Sequence, residues 1–214
     1  HCLYFPRNAE EQYMRSIHFQ GVTGCEREQW KQAYLGFIKA VMFANHGKQL
    51  LSKNPPNTAR IAILLEMFPE AKFIFLSRDP YLVYLSTKKM RHNVLDVLAL
   101  QHASEDELEQ QVVDNYVRLL ESYLKEKTLI PAGNLIEVRY EDLVVDPLAE
   151  VKRIYSTLGL PIDQALPGFQ QYLDRQARYK TNVYSIDDEA VRRVNQSWDF
   201  AFQQWKYPKR GEKG

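Results

Sequence analysis

Arg78 is the side chain whose placement most suggests chemistry. It follows Phe73 to Ser77, a run of apolar and small residues that reads as a buried strand, and it precedes Asp79-Pro80. Asp79 suits a helix N-cap, and Pro80 suits the first helical position, where a missing N–H costs nothing. Strand, Arg78, cap and helix together form the βα unit of a parallel sheet, and ligands of such sheets bind at the carboxyl ends of the strands. A guanidinium there is either a forked clamp for an anion or a surface charge. Two further clusters follow strand-like stretches: Lys53-Asn54-Pro55-Pro56 and Arg139-Tyr140-Glu141-Asp142. Glu141 and Asp142 form no obvious catalytic pair and read as fixing backbone or pairing with Arg139.

Other chemistry is sparse. The five histidines, His1, His18, His46, His92 and His102, fall in no recognisable base motif. His92, just past the Arg78 helix, is the candidate base, against the plainer reading of a surface histidine. Cys2 and Cys25 have no CxxC and no Cys/His ligand spacing, so no metal site is expected. They read as free thiols in a reducing compartment rather than as a disulfide, which points to the cytoplasm.

Several elements must position these groups. Residues 26 to 45 form an amphipathic helix, with Trp30, Ala33, Tyr34, Phe37, Ile38, Val41 and Met42 recurring at three- and four-residue steps. Lys48 to Ser52 is a strand candidate stopped by the prolines, and Asn57 is placed to cap a helix over 58 to 68. The Pro80 helix is expected to run to about Met90, with a helical or loose connection over 91 to 104. A long charged helix covers 105 to 127, and Leu135 to Val138 is the third strand. Asp146-Pro147 repeats the cap-plus-proline device before a helix closed by Gly159. Residues 163 to 174 and 187 to 205 are further helices, a short one is expected near 9 to 16, and Lys206 to Gly214 reads as a frayed basic tail. The fold class is α/β, a parallel sheet flanked by helices, in a single domain over 1–214. Three strands make a narrow sheet, which suggests a missing neighbour.

Bulk properties exclude some classes. With 28 basic and 27 acidic side chains, the net charge of +1 gives no reason to expect a nucleic-acid or anionic-membrane partner. No run of 18 apolar residues occurs, so no transmembrane segment is expected, and no signal peptide is visible.

In combination, Lys53-Asn54-Pro55-Pro56, Ser77-Arg78-Asp79-Pro80, Arg139-Tyr140-Glu141-Asp142-Leu143 and the Asp146-Pro147 helix resemble the sulfotransferases that use 3′-phosphoadenosine 5′-phosphosulfate (PAPS), in their bacterial-type branch. The resemblance covers about residues 30 to 207. It implies a P-loop NTPase-like sulfotransferase fold, PAPS as sulfate donor, no metal, and a small-molecule, carbohydrate or lipid acceptor carrying a hydroxyl or amine. By the same resemblance, Arg78 and Ser86 bind the donor's 3′-phosphate, Tyr140 lies near the adenine, and Lys53 stands beside the transferring sulfuryl group as the catalytic cation. Tyr179 and Lys180, with Arg178 and Asn182, fall where the family closes a loop over the nucleotide. Each has a plain alternative: a helix-surface serine, a core tyrosine, a solvated lysine, an exposed basic loop. Lys209-Arg210-Gly211 only faintly echoes another basic closing motif and reads as tail.

One family feature is not found. The Gly-rich loop that holds the 5′-phosphosulfate would lie upstream of all these matches, and the nine glycines never cluster in that way. The expectation is that the chain begins after that loop and lacks the N-terminal strand. The complete protein would then transfer sulfate, and this segment alone would not. The alternatives are a non-catalytic nucleotide- or partner-binding module of the same fold, and a P-loop kinase-like enzyme, which would need a Walker lysine and a Mg²⁺ site that the sequence does not show.

Overall fold

The computed structural model describes residues 3–176 and 184–211. Tyr179 and Lys180, with Arg178 and Asn182, lie outside them. The described elements run α1 (Ala9–Ile17), α2 (Gly24–Ala44), α3 (Ile61–Met67), β1 (Phe73–Ser77), α4 (Pro80–Leu98), α5 (Glu105–Glu126), β2 (Leu135–Arg139), α6 (Tyr140–Val145), α7 (Pro147–Thr157), α8 (Leu166–Gln176), α9 (Asp188–Ser197) and α10 (Asp199–Trp205). β1 and β2 pair in parallel, with Phe73 opposite Leu135 and Ser77 opposite Arg139. α4 and α5 make the crossover that parallel strands require.

Local chemistry starts the helices where the sequence indicates. The Asp79 carboxylate accepts from the Tyr81 N–H at 2.8 Å, and that of Asp146 from the Ala149 N–H at 3.0 Å. α2 and α5 each begin with a capping box, Thr23 with Glu26 and Ser104 with Glu107. α3 starts at Ile61, later than expected, because Pro55–Ala59 turn as a 3-10 helix that contains Asn57. Its N-terminus is served from outside: the Ala62 N–H donates to the Glu126 carboxylate at 2.8 Å.

The two faces of the sheet are covered differently. On one, Phe75 stacks on Tyr123 of α5 at 3.9 Å and on Trp205 of α10 at 5.2 Å. This face belongs to the main core, where Tyr81, Tyr84 and Trp198 are wholly buried. On the other, Ile136 and Val138 of β2 pack against Leu158, with Leu143, Ile154 and Leu160 around them. Their register partners Ile74 and Leu76 share that face but stay 42% and 48% exposed. Among the described residues β1 has a strand neighbour on one side only.

Three expectations need correction. Lys48–Ser52 forms no strand; among the described residues none ladders with it, and Leu51 stands 81% exposed. The stretch 187 to 205 is two helices, not one. The chain breaks at Trp198, whose indole N–H donates to the Val113 carbonyl at 3.2 Å inside the core. α4 runs on to Leu98, past Met90 and into the stretch left open as a connection.

Candidate anion site at the strand ends

The carboxyl ends of β1 and β2 lie side by side, so the residues that follow them converge. Arg78 is partly buried, and its guanidinium carbon sits 4.3 Å from the centre of the Tyr140 ring. That stacking fixes the plane of the fork. Its Nε is buried without a hydrogen-bond partner, and Arg78 forms no ion pair with any described residue. A partly buried, stacked guanidinium with no ion-pair partner among the described residues has the chemistry to take an anion.

Arg139, opposite Ser77, is already engaged. Its guanidinium carbon lies 4.5 Å from the centre of the Tyr207 ring, and hydrogen bonding to Tyr207 holds its pKa above the ordinary arginine value. Tyr207 is 6% exposed, and its hydroxyl donates to the Glu141 carboxylate at 2.8 Å and approaches the Ser77 hydroxyl at 3.4 Å. The other Glu141 oxygen accepts from the Asp79 N–H at 3.0 Å. Burial pushes the Tyr207 phenol above its usual range, and the Glu141 carboxylate adds to the shift.

Over residues 206–211 this network corrects the expectation of a frayed tail; 212–214 lie outside the described residues. Lys206 ends α10 in the left-handed conformation, at φ 55°, and turns the chain back. The Arg210 N–H then donates to the Tyr81 hydroxyl at 2.8 Å, and the Asn195 amide donates to the Arg210 carbonyl at 3.0 Å. Sequence reasoning missed Tyr207. The available signal was an aromatic followed by Pro208 directly after an aromatic-rich helix, a pattern suited to packing rather than to fraying. Glu141 fixes backbone, one of its two expected roles.

The remaining candidates are dispersed. Ser86, in α4, donates to its own helix at the Val83 carbonyl, 3.1 Å away, and makes no hydrogen bond to Arg78. Lys53 is exposed and unpaired among the described residues, in the turn before the 3-10 helix. Beside it the Asn54 amide reaches Asn57 at 3.4 Å, and Asn57 in turn reaches the Tyr34 hydroxyl at 3.4 Å. His92 contacts Glu105 at 3.1 Å across α4 and α5, which gives it a partner of its own. Among the described residues no cluster of three or more His, Cys, Asp or Glu could hold a metal ion, and no helix is long and apolar enough to cross a membrane.

Fold and site together define an α/β protein with a candidate anion site at the ends of parallel strands. The chain matches the sulfotransferase family over residues 5–165, and it belongs to that family. It is 36% identical over 204 residues to the omega-hydroxy-beta-dihydromenaquinone-9 sulfotransferase of Mycobacterium bovis, and equally to that of Mycobacterium tuberculosis; the match covers 95% of this chain and 52% of each relative. It is 25% identical over 194 residues to protein-tyrosine sulfotransferase A of Caenorhabditis elegans, covering 88% of this chain and 47% of that protein. The chain thus spans about half the length of the curated relatives it matches.

Proposed function

We propose that this chain binds the nucleotide of PAPS in a sulfotransferase that moves a sulfuryl group from that donor to a hydroxyl acceptor. The observation that carries the reading is Arg78: partly buried, stacked on Tyr140, with a buried Nε that has no hydrogen-bond partner among the described residues. These residues fit the donor's 3′-phosphate, a dianion that a planar fork can grip with two charge-assisted hydrogen bonds. The family match favours sulfuryl transfer over the kinase-like alternative. The names of the relatives refer to an omega-hydroxy compound and to protein tyrosine, which both offer a hydroxyl.

Each residue then has a task. Arg78 binds and orients the 3′-phosphate, and Ser86 supplies a second donor by turning its hydroxyl away from the Val83 carbonyl. Tyr140 holds the guanidinium plane and offers an aromatic edge for the adenine. Tyr179 and Lys180, which lie outside the described residues, are further candidate nucleotide binders by the family resemblance. The donor, when bound, supplies an activated sulfuryl group whose bond to the nucleotide breaks as its bond to the acceptor oxygen forms. Lys53, exposed and unpaired, stabilises the negative charge that builds during transfer.

The test is calorimetric titration of the protein with adenosine 3′,5′-bisphosphate. Saturable binding at one site per chain, weakened about 100-fold in Arg78→Ala, is the expected result. No heat from the unsubstituted protein would count decisively against the reading.

A further inference from the structure

We propose that Glu141 and Tyr207 are positioning residues for the Arg78–Tyr140 clamp, so that the C-terminal return segment 206–211 is part of the frame of the nucleotide site. The inference rests on the reading of Arg78 as an anion clamp and goes beyond it, because neither residue need touch the ligand.

The geometry is specific. Arg78 lies between Ser77 and Asp79, and one phenol–carboxylate pair reaches both neighbours. Tyr207 meets the Ser77 hydroxyl at 3.4 Å, and Glu141 takes the Asp79 N–H at 3.0 Å. Tyr207 and Glu141 are themselves joined at 2.8 Å. Ser77 is further tied to β2 through the Val138 carbonyl at 3.3 Å. Glu141 also directly follows Tyr140, the residue on which Arg78 stacks, so the same carboxylate secures both halves of the clamp. Asp79 caps α4 through Tyr81, and the Tyr81 hydroxyl receives the Arg210 N–H, which closes the frame on the C-terminal segment.

A partly buried carboxylate whose two oxygens are both occupied by such ties holds the segments it joins in one arrangement. Its effect on function is preorganisation. The strand-end turn is held before ligand arrives, so ordering it subtracts little from the binding free energy. No bond is made or broken by these residues.

The test is a double-substitution cycle read by calorimetry with adenosine 3′,5′-bisphosphate. Tyr207→Phe removes the hydroxyl and keeps the ring under Arg139. It is expected to raise Kd about tenfold, the size of one hydrogen bond to a charged group. In an Arg78→Ala background the same substitution is expected to change Kd less than about twofold, because residues acting through one another are not additive. A merely structural role would weaken binding equally in both backgrounds, and that result overturns the proposal. Wild-type affinity in Tyr207→Phe, with Arg78→Ala still deficient, overturns it while leaving the clamp reading intact. Full affinity in Arg78→Ala overturns the clamp reading, and the proposal with it. Should Tyr207→Phe fail to fold by circular dichroism, Glu141 carries the test. Glu141→Gln keeps polar atoms at both positions and should bind more tightly than Glu141→Ala. Equal affinities of the two refute the positioning role.

Discussion

Arg78 should discriminate between two nucleotides that differ only at the 3′ position. Adenosine 3′,5′-bisphosphate carries the 3′-phosphate that we propose Arg78 binds, and adenosine 5′-monophosphate does not. Two charge-assisted hydrogen bonds contribute about 1.5–3 kcal/mol each before the cost of removing water from the fork. Part of that cost is already met in the folded protein, since the Nε is buried and the ring of Tyr140 covers one face at 4.3 Å. A net loss of about 3 kcal/mol on truncation is therefore expected, or about 100-fold in Kd. Calorimetry on both nucleotides should show the unsubstituted protein preferring the bisphosphate by about that factor, and Arg78→Ala preferring it by less than about threefold. Arg78→Lys keeps the charge but loses the fork and the stacking, so it should retain about a tenth of the affinity. A bisphosphate preference unchanged in Arg78→Ala would refute the reasoning, because the 3′-phosphate would then be read elsewhere.

Three other predictions follow from separate parts of the chain. In sulfuryl-transfer assays, Lys53→Met should lower kcat about 100-fold while leaving bisphosphate affinity nearly unchanged; parallel losses in both would place Lys53 in ground-state binding instead. Glu126→Ala removes the carboxylate that caps α3 and should cost about 1 kcal/mol in urea unfolding, with no change in nucleotide binding. Burial, and then the nearby Arg118 and Arg60, hold the His18 pKa below its reference value of 6.5, so the folded state resists protonation that the unfolded chain accepts. His18 thus contributes stability that is fully present above about pH 6.5 and lost as pH falls through its folded pKa. The thermal midpoint should drop across that window, and His18→Gln should flatten the drop; an identical slope in both proteins would exclude His18 as the cause.

Some of this architecture could be read directly from the amino acids, and the reasons differ by element. β1, β2 and the helices after them are written in short-range code. Apolar runs end in Arg78 and Arg139, and Asp79-Pro80 and Asp146-Pro147 fix helix starts through bonds between residues two or three apart. What depends on distant partners was not readable. Lys48–Ser52 has strand composition, but a strand exists only with a neighbour. The break at Trp198 depends on the Val113 carbonyl, 85 residues away, and the burial of Tyr207 depends on Glu141, 66 residues away. In the site, the types and places of Arg78 and Tyr140 were legible because they follow strands. The Glu141–Tyr207 tie was not, because it joins two segments that have no common pattern.

The side of β1 that has no strand neighbour among the described residues has a practical consequence. Its backbone donors and acceptors lie beside Ile74 and Leu76, so that margin is an adhesive seam of the kind that draws chains into larger assemblies. Concentrated samples of the 214-residue polypeptide should therefore be handled as prone to self-association. A lysine in place of Leu76 is the substitution that would blunt the seam by adding charge repulsion where molecules would otherwise meet.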